Sequence, residues 1–401
     1  DPAGREDPPQ LRGVGGMSWS RAKLGDAITL KRGHDLPSSQ RKEGVIPVVS
    51  SSGITGYHGE AKAAGPGVVT GRYGTLGEVY YVESDYWPLN TSLYVCDFKG
   101  NSPRFVAYLL RNLLRNFQSE KAAVPGVNRN ALHQLEIWVP CVSLQQEIEG
   151  VLSCYDDLIE NNHRRIQLLE ESARLLYKEW FVHLRFPGHE HVNVTNGMPE
   201  GWSRRRLVDV TSKIGSGATP KGGASAYQSE GIALIRSQNV YDYRFDSSGL
   251  AFINDEQADR LSNVEVNGSD VLLNITGASV GRCCLAPDYH LPARVNQHVM
   301  IIRSDSEKFG PHYLLHFINS YREKQRILAA AGAGGSTREA LTKSFVQNLE
   351  VTLPSRTLME QFEDFAKDCF EQKQKLEMQN IRLAKARDLL LPKLMSGELA
   401  A

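Results

Sequence analysis

Apolar side chains recur at alternating steps of four and three residues through a long stretch beginning at Ile148. They are Ile148, Leu152, Tyr155, Ile159, Ile166, Leu169, Ala173, Leu176 and Trp180, with Asn162 the one polar member. A repeat of 3.5 residues sustained for about four heptads is the seam of a coiled coil. Residues 148–180 therefore predict roughly 50 Å of helix at about 1.5 Å per residue. A weaker seam runs through 358–394, at Phe362, Phe365, Cys369, Leu376, Leu383, Leu390 and Leu394, interrupted by Lys373 and Asn380. Two such helices in one chain are expected to pair, and to pair antiparallel, because each leaves a separate globular part at its N-terminal end. Asn162 is then the residue that sets register. The competing reading packs each helix on its own globular part alone. Elsewhere the pattern shortens to β-branched runs bounded by Gly, Asn and Pro, which predict short strands and turns. Helical stretches at 105–117 and 313–328 interrupt them, so the fold class is α+β.

The pattern occurs twice. Trp19 opens a run ending Leu24-Gly25-Asp26, and Trp202 opens one ending Leu207-Val208-Asp209. The glycine-rich segment 67–77 has its counterpart in 269–281, and Asn90-Thr91-Ser92 answers Asn296-Gln297-His298. Leu135-Glu136-Ile137-Trp138-Val139-Pro140 matches Leu349-Glu350-Val351-Thr352-Leu353-Pro354, and a long polar helix follows each. A collinear series of this kind is a tandem duplication, with insertions in the second copy because the offset grows along the chain.

Length and charge agree with two units. The chain has 401 residues, more than one ordinary core accommodates, and 41% hydrophobic with 23% charged residues describe a folded globular protein. No apolar run approaches the roughly 18 residues of a membrane span. Six cysteines without a CxxC pair argue against a zinc ribbon or a disulfide framework, and reduced thiols in the cytoplasm are the simpler expectation. The 46 basic and 46 acidic residues cancel, yet residues 17–140 carry 14 basic against 10 acidic side chains and 141–186 carry 5 against 8. Residues 1–16 precede the first methionine, mix Pro, Gly and charge, and are expected to be an appended tag.

Catalytic motifs are missing from the sequence: it has no phosphate-binding GxxxxGK[ST] loop, no HExxH and no GxSxG. His58, His290, His298 and His312 are scattered and read as surface or internally satisfied residues. Cys283 and Cys284 are adjacent on a predicted strand, point to opposite faces and read as packing. No metal site and no catalytic residue is expected. What remains is a set of glycine-rich turns carrying the residue types that contact nucleic acid: Arg for guanine edges, Asn or Gln for adenine, Ser, Thr and Lys for phosphate. In the first copy these are Lys31, Arg32, Arg41, Lys42, Ser51, Tyr57, Arg72, Tyr73 and Thr75. In the second they are Lys221, Arg236, Gln238, Asn239, Tyr241, Thr276, Arg282, Asn296 and Gln297. Taken singly, each reads more readily as a solvated loop residue than as a base contact, and the duplication favours the set.

From Trp19 onward the chain resembles the specificity subunit of a Type I restriction-modification system. The resemblance is carried by the run 19–26 and its echo 202–209, by the turn 71–77 and its partner ending at Gly281, and above all by 135–148 (LEIWVPCVSLQQEI) leading into the heptad helix and repeated at 349–362. It implies target recognition domains at 17–141 and 199–355, conserved helices at 142–186 and 356–401 that form an antiparallel coiled coil, and a linker at 187–198. It also implies a non-catalytic subunit in the cytoplasm that reads a bipartite target in double-stranded DNA. Two methyltransferase subunits would dock on the helices and bind S-adenosylmethionine, this chain holding no cofactor of its own, and motor-nuclease subunits would join for restriction. A methylation-only complex and a protein-binding scaffold with duplicated domains are the alternatives. The near-neutral charge departs from a generic DNA binder, which is basic.

Overall fold

The structure, a computed structural model, describes residues 19–72, 78–120, 128–305, 309–332 and 340–400. The expected contacts Tyr73 and Thr75 lie outside the described residues. The chain divides into two compact units, Asp1–Asn161 with Gln379–Ala401, and Asn162–Met378.

In the first unit, strand β1 (Trp19–Lys23) leads through a single helical turn, α1 (Leu24–Ala27), to β2 (Thr29–Arg32), β3 (Ile46–Ser50), β4 (Gly53–His58), β5 (Gly67–Gly71), β6 (Val79–Val82), β7 (Trp87–Pro88) and β8 (Ser92–Asp97). Helices α2 (Pro103–Glu120) and α3 (Arg129–His133) follow, then β9 (Glu136–Pro140) and the long helix α4 (Val142–Tyr177). Strands β2-β8-β5-β6 form an antiparallel sheet, and β4-β3-β7 form a second in which β3 and β7 run parallel. Strand β1 pairs antiparallel with β9 and so delivers the chain to α4.

The second unit begins within α4, which ends in a π-helical turn at Lys178–Val182. A small hairpin, β10 (Val194–Thr195) and β11 (Met198–Pro199), precedes β12 (Ser203–Arg206), β13 (Thr211–Ser216), β14 (Ile232–Ile235), β15 (Ala251–Ile253), helix α5 (Asp255–Arg260) and β16 (Glu265–Val266). Then come β17 (Val271–Asn274), β18 (Cys283–Leu285), β19 (Ala293–Val295), β20 (Val299–Ser304), helices α6 (Pro311–Asn319), α7 (Tyr321–Gly332) and α8 (Lys343–Gln347), strand β21 (Glu350–Leu353) and the long helix α9 (Arg356–Met395). Sheet order β13-β20-β17-β18 repeats that of the first unit strand for strand. The second sheet, β15-β14-β19-β16, again has one antiparallel and one parallel neighbour on its first long strand, and β12 pairs with β21 as β1 does with β9. The duplication is thus a duplication of topology, with α5 and β16 among the additions in the second copy. A matched pair of glycines marks it too. A Cβ on Gly33 would sit 2.2 Å from the Leu89 carbonyl oxygen, and one on Gly217 1.7 Å from that of Val295, so neither strand end tolerates a side chain.

The long helices pair inside each unit. In the first, Ile148 and Leu152 of α4 share a buried cluster with Leu391, Leu394 and Met395 of α9, and the Arg387 guanidinium donates to Asp156 at 2.5 Å. In the second, Ala173 and Tyr177 share a cluster with Phe362, Ala366 and Cys369, and the Lys373 ammonium donates to Glu170. Within the second unit Glu170 meets Lys373, while Tyr177, seven residues on (177 − 170), meets Phe362, eleven residues back (373 − 362), so the two helices run antiparallel there. The helices also pack on their own globular parts: the first cluster includes Phe105, Leu109 and Leu110 of α2, and the second Tyr313, Leu314 and Phe317 of α6. Packing on the globular parts thus accompanies the helix pairing and does not replace it.

The seam on α9 needs one correction. Phe365 is 41% exposed, while Ala366 at 2% occupies the buried position. Phe362, Ala366, Cys369, Lys373 and Leu376 keep the strict four-three spacing, which an aromatic at 365 breaks. Of the polar members Asn162, Lys373 and Asn380 are all buried, and Tyr155, Ile159, Ile166, Leu169, Leu176, Leu383 and Leu390 are half-buried along the helices. The predicted helix at 313–328 is in fact two, because Ser320 adopts an extended ψ of 147° between α6 and α7. Cys283 and Cys284 on β18 face opposite ways, one into each core cluster of the second unit.

Candidate nucleic-acid interface

In each copy some of the polar residues singled out above meet beside one topological place, the turn that carries the chain from the parallel strand of the small sheet into the large sheet. That turn is 89–91 between β7 and β8, and 296–298 between β19 and β20.

In the second unit this turn borders an open concavity of about 740 Å³ whose lining includes Gln238, Tyr241, Thr276, Arg282 and His298. The floor is the tight turn Gly277–Ser279, where Gly277 has φ +72° and nothing stands within 4 Å of where a Cβ would be. Small residues and an open backbone admit a bulky ligand closely. On one wall Tyr241 carries two cations, with the Arg244 and Arg282 guanidinium carbons 4.5 and 4.6 Å from its ring centre. On the other, His298 lies between Thr276 and Gln297: Nδ1 is 2.6 Å from Thr276 Oγ1 and Nε2 is 3.0 Å from Gln297 Nε2.

In the first unit Arg32 Nε and Arg72 Nη1 both donate to the Asn90 carbonyl, at 3.3 and 3.5 Å, and Asn90 Nδ2 donates to Asp35. Lys31 is exposed beside them on β2. Lys62 lies 5.1 Å over the Trp87 ring. Burial, with the Lys31 and Lys62 charges adding to it, pushes the His34 imidazole below its ordinary value. On the β3–β4 hairpin Tyr57 is 57% exposed, Ser51 is half-buried, and Arg41 Nη1 donates to the Thr55 carbonyl at 2.9 Å.

A family model described as Type I restriction modification DNA specificity domain matches this chain twice, at residues 17–171 and 199–374. The chain belongs to that family. Among its relatives, the Type I restriction enzyme MjaIX specificity subunit of Methanocaldococcus jannaschii is 29% identical over 284 residues, covering 69% of this chain and 63% of the relative. The Type I restriction enzyme HindI specificity subunit of Haemophilus influenzae is 20% identical over 341 residues, covering 70% and 73%. The chain thus spans less than two thirds of the length of the first of these. The crystal structure of a Type-I restriction-modification system S subunit from M. genitalium shares the fold, with a TM-score of 0.60 at 14% identity over 96% of this chain and 98% of that one.

Within this specificity-domain fold two of the expected contacts are corrected. Asn239 is fully buried, accepting from the Arg236 N–H and donating to the Asp246 and Ser248 carbonyls, so it builds a loop. Asn296 is 6% exposed and its Oδ1 accepts the His298 N–H. Three more are engaged internally. Arg236 donates to the Gly249 carbonyl at 2.5 Å and stacks on Tyr227, Gln238 Nε2 donates to that same carbonyl at 3.2 Å, and Lys42 pairs with Glu60 at 2.6 Å. Lys221 and Gln297 are exposed. Residues that sequence reasoning missed are Arg244, Lys62 and His298. His298 had a signal, its place in the 296–298 echo of Asn90-Thr91-Ser92. Lys62 and Arg244 had none, since only the fold sets them over an aromatic ring. Among the described residues no group of His, Cys, Asp or Glu gathers as a metal site, and no helix is long and apolar enough to cross a membrane.

Proposed function

We propose that this chain is the DNA-reading subunit of a Type I restriction-modification complex, non-catalytic itself, whose two recognition domains each read one half of a bipartite target in double-stranded DNA. The observation that carries this is the repetition of one topology, each copy holding cationic and aromatic residues near the same sheet-to-sheet turn. One recognition surface per copy suits a target read in two parts. The helix pair is the spacer that sets the unread gap between half-sites, as dimer geometry sets half-site spacing in other DNA-binding proteins. Two methyltransferase subunits dock on the helices and carry the S-adenosylmethionine, and motor-nuclease subunits add restriction. The net charge of zero is consistent with partners that supply much of the phosphate grip.

The test is an exchange of residues 199–355 for the equivalent domain of another specificity subunit, with methylated positions then sequenced across a genome. The expected result is a change in one half-site, with the other half-site and the gap intact. A change in both half-sites defeats the modular reading. Loss of all sequence preference in a complex that still methylates DNA defeats the recognition role.

A further inference from the structure

We propose that Arg282 reads a guanine in the half-site of the second domain, with Tyr241 as the shelf that holds its guanidinium plane. The inference deepens the function proposed above and rests on it.

The arginines of the second domain differ in what they are free to do, and of Arg206, Arg236, Arg244, Arg282 and Arg303 only Arg282 lines the concavity. Arg236 is half-buried and donates to the Gly249 carbonyl. Arg244 lies 3.7 Å from Asp246, and Arg206 and Arg303 are held by Asp209 and Asp270. Arg282 lines the concavity and, among the described residues, its side chain has neither an ion pair nor a hydrogen bond, its one recorded partner being the Tyr241 ring at 4.6 Å. A guanidinium stacked on an aromatic face keeps all of its N–H donors in its own plane and loses the freedom to swing, so less ordering remains to be done when it binds. The guanine edge in the major groove offers two acceptors, N7 and O6, spaced for that planar fork, and a bidentate Arg–guanine pair is the commonest specific contact of this kind. A phosphate accepts the same fork but carries no sequence, so the position-specific readout of Arg282→Lys separates the two. The open turn at Gly277–Ser279 leaves room for a base-pair edge to come close.

The experiment uses the complete methyltransferase complex and a library of randomised duplexes, scoring the methylated sequences for the natural chain, Arg282→Lys and Tyr241→Leu. Arg282→Lys keeps the charge and loses the fork. It is expected to cut the preference for guanine at one position by roughly 5- to 150-fold, the range of a bidentate contact. That position is to fall in the half-site that moves when 199–355 is exchanged, every other position staying as before. Tyr241→Leu is expected to relax the same position. Uniform weakening at all positions, or an unchanged pattern, overturns the assignment and leaves Arg282 a phosphate contact or a bystander. Relaxation by Tyr241→Leu at a different position overturns the shelf. A natural complex that shows no preference in either half-site fails the broader reading instead, so the two failures are told apart.

Discussion

His316 is a residue whose chemistry is set wholly by its surroundings. It is 4% exposed, stacked on Tyr177 at 5.5 Å, with Tyr243 and Phe362 also against its ring. Burial pushes its value down from 6.5 to about 3, with the His312 and Arg174 charges adding to the effect. The folded value lies below the unfolded one, so the stability is fully present above about pH 6.5 and drains away as the pH falls towards 3. Each unit of pH within that window costs about 1.4 kcal/mol. His316→Phe is therefore expected to flatten the acid side of the stability profile, read as urea midpoints between pH 7 and pH 4.5 (roughly the span over which this group dominates). Equal slopes in both proteins refute it. Nothing in the sequence singled out His316, because an imidazole in an amphipathic helix looks the same whether its face is wet or dry. The groove residues were more legible: Gln238, Tyr241, Thr276 and Arg282 do line one concavity. Asn239 and Asn296 misled because an amide beside a glycine-rich turn suits a loop's own carbonyls as well as a base edge.

At the scale of elements, the helices were the most legible part of the fold, since a 3.5-residue repeat needs no partner to be seen. The sheet order was hidden: strands of four to six residues with long-range partners leave no local trace of who pairs with whom. In each unit the helix pair carries a part-buried ionic contact that also reaches that unit's globular part. Asp156 accepts from Tyr108 Oη at 2.7 Å as well as from Arg387. Burial alone would raise the Asp156 carboxyl, but Tyr108, Arg387 and Arg111 outweigh it and hold it below the ordinary carboxylate range. Lys373 likewise donates to the Tyr243 carbonyl at 2.6 Å as well as to Glu170. Glu170→Leu leaves Lys373, 7% exposed, with a weaker set of partners. The expected loss is about 2–3 kcal/mol in urea unfolding, at the low end for buried pairs because the Glu170 side chain is 31% exposed. Adding Lys373→Met is expected to recover most of it, since an apolar pair of similar volume packs there without desolvating a charge. A double variant no better than the single one sinks the ionic explanation.

For the whole molecule, α4 and α9 each give part of their length to each unit. Inserting one heptad in both, after Asn161 and after Met378, adds about 10.5 Å of helix to each and keeps the seam in phase. With the proposed spacer role, the expected result is a gap about three base pairs longer between two unchanged half-sites, read by sequencing methylated DNA. An unaltered gap rejects the spacer role. The partition has a further consequence during synthesis. Asp156 and Arg387 are 231 residues apart, and the strip formed by Ile148 and Leu152 is covered in part by Leu391, Leu394 and Met395. A ribosome thus delivers the amino-terminal unit first but completes it last, holding an apolar face uncovered while the entire second unit emerges. Trimming the final helical turns is a lesion of the first-made half of the protein.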